Sequence, residues 1–429
     1  MILRLIYGRV WAKSQKKPTS GKTVSVLDLA FIRQQFPAFS APSLQGQRHF
    51  ENAGGSWACQ HTIDALSVFY QHTKLQPYHP HPSSQSGGAA MDHAYQRWAA
   101  RLNVAVDELT IGPSTSINTY VLAQAFADKL SDGDDVIVTN QDHEANGGVW
   151  RKMAERCGAT LHQWPVDPET GLLDPAVLES LLSERTRLVC LPHCSNIVAH
   201  KNPIAAWVKR VRAIAPQAFV VVDGVSQAPH ELPDVDALAC DAYYFSLYKV
   251  FSVHQGVLVV RTRLADFLPN QSHFFNADHP QKRFNPAGPD HAQVAASAAV
   301  LDYFDQMIAH HGFNGQTEWN QAVADHEAEI SQPLLDYLAG RNDVRLLGPK
   351  EAANRQPTIS FVPKHHTANV VGQALGARGI ACGTGHFYGY RLVEAMGADP
   401  DLGVVRLSMV HYSSRADVEA AIEALDAVL

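Results

Sequence analysis

The sequence predicts an α/β protein: a large domain built on a mostly parallel sheet, then a smaller α+β domain at the C-terminus. Three observations lead there. Short apolar runs at 108–111, 135–139, 160–164, 188–191, 219–222, 242–245 and 257–260 alternate with helical stretches. Several of these runs are apolar on successive residues, as in Val220-Val221-Val222, which marks strands covered on both faces. The segments between them hold crossover helices such as 205–214, the connection that parallel strands need.

Each element has a local reason. The run at 135–139 (Asp-Val-Ile-Val-Thr) is rich in β-branched residues, and 242–245 (Ala-Tyr-Tyr-Phe) in aromatics. Gly112-Pro113 closes the first run, and Ser114-Thr115-Ser116 opens a helix expected over 117–130. After Asn285-Pro286 the pattern changes. Val294, Ala298, Leu301 and Phe304 recur near helical spacing and predict one long helix over 291–308. Helix 319–338, strand 358–362, helix 368–378, strand 404–410 and helix 415–429 follow. The expected organisation is a disordered basic tail over 1–25, a segment over 26–45 packing on the small domain, the large domain over 46–290, and a linking helix with the small domain over 291–429. A length of 429 residues suits two domains.

Composition excludes several classes. The formal net charge is -7, without a basic stripe interleaved with aromatics, so no nucleic-acid partner is expected. No apolar run reaches the roughly 20 residues that span a bilayer. The basic residues Arg4 and Arg9 interrupt the apolar N-terminus, unlike a secretory signal. Six cysteines are scattered without a CxxC pair, which points to the cytoplasm and to no metal site. Ser20-Gly21-Lys22-Thr23 ends like a phosphate loop, but Lys16 stands where the first glycine belongs.

The chemistry lies at strand ends. Val220-Val221-Val222-Asp223-Gly224 and Tyr244-Phe245-Ser246-Leu247-Tyr248-Lys249 each bring a polar group to the end of an apolar strand. C-terminal strand ends line the ligand crevice of a parallel sheet. An acid and a lysine on that rim are the pair that pyridoxal 5′-phosphate (PLP) needs. The lysine forms an imine with the aldehyde, and the carboxylate keeps the pyridine nitrogen protonated. Three further segments end strands or open helices with polar groups: Gly112-Pro113-Ser114-Thr115-Ser116 for a phosphate, Asp142-His143-Glu144-Ala145-Asn146 for ring stacking, and Leu191-Pro192-His193-Cys194-Ser195-Asn196 for a ring substituent.

With Phe50-Glu51-Asn52-Ala53-Gly54-Gly55, Gly385-His386-Phe387-Tyr388 and Val405-Arg406-Leu407-Ser408, these motifs resemble, in order, the class V aminotransferase family of fold-type I PLP enzymes, and within it the cysteine desulfurase-like, SufS-like branch. The resemblance implies that Lys249 holds the cofactor as a Schiff base and moves protons at the substrate Cα. It implies that Asp223 pairs with the ring nitrogen and His143 stacks on the ring. Ser114, Thr115, Ser246 and Tyr248 hold the phosphate, Asn196 and Ser226 lie toward O3′, and Arg406 and His386 face the substrate, Arg406 gripping its carboxylate. It also implies a homodimer acting on a small-molecule amino acid.

There are departures. Ser226 replaces a common Gln, Tyr248 a common His, and Ala287-Gly288 a common Gly-Thr. The loop that carries the sulfur-accepting cysteine in desulfurases matches 383–388, with Tyr388 at the cysteine position. Desulfurase-like β-elimination is therefore expected, with an aminotransferase or epimerase as the alternative. A non-catalytic PLP-fold binding protein would need neither Lys249 nor Asp223.

Overall fold

Successive apolar residues give strands that are buried on both faces, and the computed structural model, which describes residues 26–429, assembles them into one sheet. The expected tail 1–25 lies outside the described residues. The strands are β1 (Leu109–Gly112), β2 (Asp135–Thr139), β3 (Thr160–Trp164), β4 (Thr186–Pro192), β5 (Phe219–Asp223), β6 (Ala242–Ser246) and β7 (Gly256–Val260). Their order is β1-β7-β6-β5-β4-β2-β3. Neighbours from β3 across to β6 run parallel, and β7 runs antiparallel to both β6 and β1. Every residue of β2, β5, β6 and β7 is buried, so helices cover both faces. On one face Phe126, Trp150, Leu188 and Tyr244 pack together; on the other, Trp98, Val189, Val220 and Phe245 do.

The linking helix departs from expectation. It is two helices, His291–Ser297 and Ala299–His310. The cause lies at Ser297. Its hydroxyl donates back to the Val294 carbonyl at 2.7 Å, and its own carbonyl accepts the Ser252 hydroxyl at 3.3 Å. Back-bonding of this kind bends helices.

The C-terminal part forms an antiparallel sheet of β8 (Val344–Leu347), β9 (Thr358–Pro363), β10 (Gly383–Gly385) and β11 (Val404–Ser408), in the order β10-β11-β9-β8. Helices Gln316–Ala339, Ala368–Gly376 and Arg415–Asp426 accompany it, and Leu334, Leu335, Val371, Val405, Leu407 and Val418 form its core. The chain near residue 50 ties the two parts together. Arg48–His49 pairs in parallel with Ile380–Ala381, and Ser408 N donates to Phe50 O at 2.7 Å. Segment 26–45 reaches both sides: Arg33 bonds Tyr412 O and Asp417, while Phe36 stacks edge-on against Phe251 and Tyr412.

The helix that starts at Thr115 is seated on β7 through Gly256. A Cβ there would run into the backbone of Ser114 and Thr115. Gly256→Ala should therefore cost about 1–3 kcal/mol, the usual range for overpacking. Chemical denaturation measures it. An unchanged midpoint would show that this helix N-terminus is not pinned by the sheet.

Candidate active site

Parallel strands deliver their C-terminal ends to one rim. β5 ends on Asp223, which lies between Pro192 of β4 and Tyr244 of β6. Lys249 follows β6 through the short turn Leu247–Lys249. His143 caps the helix after β2, and Asn196 follows β4. Lys249, Asp223, His143, Asn196 and Ser226 all wall one cavity, open to solvent, with about 470 Å³ of empty space. Gln227 does not take up the part of the missing Gln. It is buried, donating to Glu231 at 3.1 Å and accepting from Gln356 at 2.7 Å.

One end of the cavity suits a phosphate. Thr115 and Ser116 stand at the N-terminus of helix Thr115–Ala127, facing Ser246 and Tyr248. Thr115 and Ser246 share a hydrogen bond of 2.7 Å. Free N–H groups and hydroxyls in that arrangement bind anions well. Ser114 does something else: its hydroxyl oxygen caps the helix by accepting the Ile117 N–H at 3.2 Å. Ser116, part of the phosphate segment but without an individual role in the sequence reading, is on the cavity wall instead.

Burial sets the protonation states. It pushes the Lys249 amine down to about 8; Arg406 adds to this, and Asp223 and Glu51 oppose it. Burial also raises Asp223 to about 6, against the Val225 N–H that its carboxylate accepts at 2.8 Å and the charge of Lys249. His143 is driven down to about 3 by burial and the cations Lys249 and Arg406, so the ring is neutral. Its Nδ1 accepts the Ala145 N–H at 3.0 Å, which leaves the proton on Nε2. Asp142, just before it, is also buried, raised to about 8, and ties Asn146 to the loop at 2.6 Å.

Arg406 sits behind this wall. It is buried, donates to Glu51 Oε1 at 2.8 Å and to Asn196 O at 3.2 Å, and lies 3.7 Å from the centroid of the Phe387 ring. Asn196 in turn donates to Phe387 O at 2.8 Å. His386 is half-buried outside the cavity wall, accepting the Tyr388 N–H at 3.1 Å and packing on Tyr390. Tyr388 is exposed, with its ring 5.0 Å from that of His143. Cys382 is half-buried between Ile380–Ala381 and β10, its thiol raised by burial and Glu51 to about 11. Cys194 is on the cavity wall, but its thiol is bonded to the Ala199 carbonyl at 3.4 Å and raised by burial to about 12.

These residues fit PLP. A buried carboxylate and a lysine share a cavity with a neutral planar imidazole, and the far end is a hydroxyl-lined helix N-terminus. Asn196 Oδ1 is buried without a partner. The fold and the cavity define a fold-type I, PLP-dependent enzyme. A profile of the family described as Aminotransferase class-V matches residues 48–421, and the chain belongs to that family. An aminotransferase-like protein of Gibberella zeae is 35% identical over 407 residues, 93% of this chain and 98% of that protein. A probable cysteine desulfurase of Pseudomonas putida is 30% identical over 413 residues, 92% of this chain and 96% of that protein. The crystal structure of an Escherichia coli cysteine desulfurase matches with a TM-score of 0.80 at 22% identity, covering 94% of this chain and 98% of that one. The family's cofactor is PLP.

The depressed Lys249 amine yields a pH prediction. The neutral amine is the nucleophile, so in the cofactor-free protein acylation of Lys249 should rise with pH through about 8 and level off above it. Asp223→Asn removes a charge that holds the proton on, so the midpoint should move lower still. Peptide mass spectrometry from about pH 6 to about pH 11 reads both. A midpoint near the ordinary 10.5 would contradict the burial account.

Proposed function

We propose that the chain is a lyase acting on an amino-acid-derived amine: a proton leaves Cα and a substituent leaves Cβ, with no protein thiol taking part. The observation that carries this is the juxtaposition of Lys249 and Asp223 on one cavity, while the nearby thiols of Cys194 and Cys382 are raised to about 12 and about 11. The thiolate is the attacking form, so such thiols are poor sulfur acceptors.

When bound, PLP supplies the electron sink for the Cα–H bond. Thr115, Ser116, Ser246 and Tyr248 would hold its phosphate, Asp223 the ring nitrogen, and Asn196 and Ser226 the O3′ side. His143 would cover one face of the ring, and its neutrality would keep it from repelling a protonated pyridine nitrogen. Lys249 Nζ would hold the cofactor through its aldehyde carbon and would take the proton from the substrate Cα. An amine tuned to about 8 can accept a proton and return it near neutral pH.

We also propose that two copies associate and that the protein works in the cytoplasm. The adjacent Phe274 and Phe275 are 88% and 65% exposed beside a cleft bounded by Tyr78, Ala287 and Gly288, an apolar surface that a second copy would cover. All six cysteines are free, as a reducing compartment favours.

Two outcomes follow. Cysteine turnover should release sulfide directly, leaving no persulfide on the protein by mass spectrometry, and Cys382→Ser should keep its activity within about twofold. A persulfide on Cys382 together with an inactive Cys382→Ser would make this a thiol-dependent desulfurase. Replacing Phe274 and Phe275 with Asp should give monomers by sedimentation. A wild-type chain that sediments as a monomer with full activity would rule out the dimer.

A further inference from the structure

The position at which a free α-carboxylate would meet Arg406 already holds a carboxylate. Glu51 Oε1 takes the Arg406 N–H at 2.8 Å. The place is built for it: a Cβ on Gly54 or Gly383 would collide with the Glu51 carboxylate, and neither glycine has a positive φ, so each is there for room. The Phe387 ring covers one face of the guanidinium at 3.7 Å, and Arg406 itself is 2% exposed. The buried polar atoms left without partners around this pair are one donor, Arg406 Nε, and two acceptors, Glu51 Oε2 and Asn196 Oδ1. The Asn196 amide is oriented by its Nδ2–H donating to Phe387 O at 2.8 Å, so Oδ1 stays an acceptor.

We propose that Glu51 is a specificity-determining residue that fills the carboxylate position on Arg406, so that the site prefers α-amino amides to free α-amino acids. This rests on the amine-handling role of Lys249 proposed above. A free carboxylate brings only acceptors and a second negative charge to a guanidinium that is already neutralised. To bind, it must displace Glu51 from the buried Arg406, breaking an ion pair whose guanidinium side is 2% exposed and whose carboxylate side is 30% exposed. A carboxamide is neutral. It offers a carbonyl for Arg406 Nε and an N–H for Glu51 Oε2, which matches the unpartnered donor and acceptor of the pair.

The test uses the PLP-loaded enzyme and its absorbance band, titrated with serine, alanine and cysteine and with the primary amide of each. The wild-type enzyme should bind each amide about tenfold or more tightly than its acid, a comparison that needs no variant. Glu51→Gln keeps an oxygen for the Arg406 N–H but removes the charge. It should tighten binding of the acids about tenfold while moving the amides less than about threefold. Wild-type preference for the acids, or acid affinity that is unchanged or weaker in Glu51→Gln, would overturn the assignment of Glu51 and leave the lyase reading standing. No band shift with any acid or amide would overturn both.

Discussion

The structure depends on holding a lysine and an aspartate together out of water. Neither charge is comfortable when buried: Lys249 falls to about 8 and Asp223 rises to about 6. Each moderates the other's shift, and the sheet supplies the geometry. On adjacent parallel strands, Asp223 at the end of β5 lies opposite Tyr244 of β6, and Lys249 comes after the end of β6 and a short turn, so both reach one cavity without a long loop. Helices on both faces keep the strands dry, which makes the shifts large. The neutral state of His143 follows from the same burial and from the same lysine.

Much of this was legible in the sequence, because the strands are apolar on both faces and their polar residues fall at the ends. Val220-Val221-Val222-Asp223 is strand, burial and site in one phrase. β2 and β3 occupy the expected residues, and the other strands of the large sheet differ by a residue or two at their ends, where caps and frayed pairs decide the boundary. Other elements left little trace. Helix Pro82–Leu102 opens with Ser83-Ser84 and carries Gly87-Gly88, which weaken any helical signal; burial of Met91, Ala94, Tyr95 and Trp98 holds it instead. β8 and β10 are short, and Gly383-Thr384-Gly385 has no apolar side chain to announce it. The break at Ser297 comes from Ser252, a distant residue whose bond to the helix no local pattern reveals.

At the site, legibility followed the same line. Residues at strand ends were visible; residues set by tertiary contact were not. Ser114 and Ser116 flank Thr115, and only the cap geometry sends one to Ile117 N and the other to the cavity. Glu51 stood in a quoted motif with no role attached. Its meaning appears only when the Ser408 backbone draws the segment onto β11 and sets its carboxylate against Arg406. The signal available beforehand was an acid directly after Phe50 and a few residues before the pair Gly54-Gly55, which names no partner. Arg406 is thus committed to Glu51 and to the Asn196 carbonyl, with the Phe387 ring over one face of its guanidinium.

The most direct measurement of the central claim is to reduce the PLP-loaded enzyme with borohydride, digest it, and find the cofactor by peptide mapping. The account predicts a single modified residue, Lys249, because it is the lysine that the sheet brings to the cavity beside Asp223. Cofactor fixed to another lysine, or no fixed cofactor at all, would contradict it.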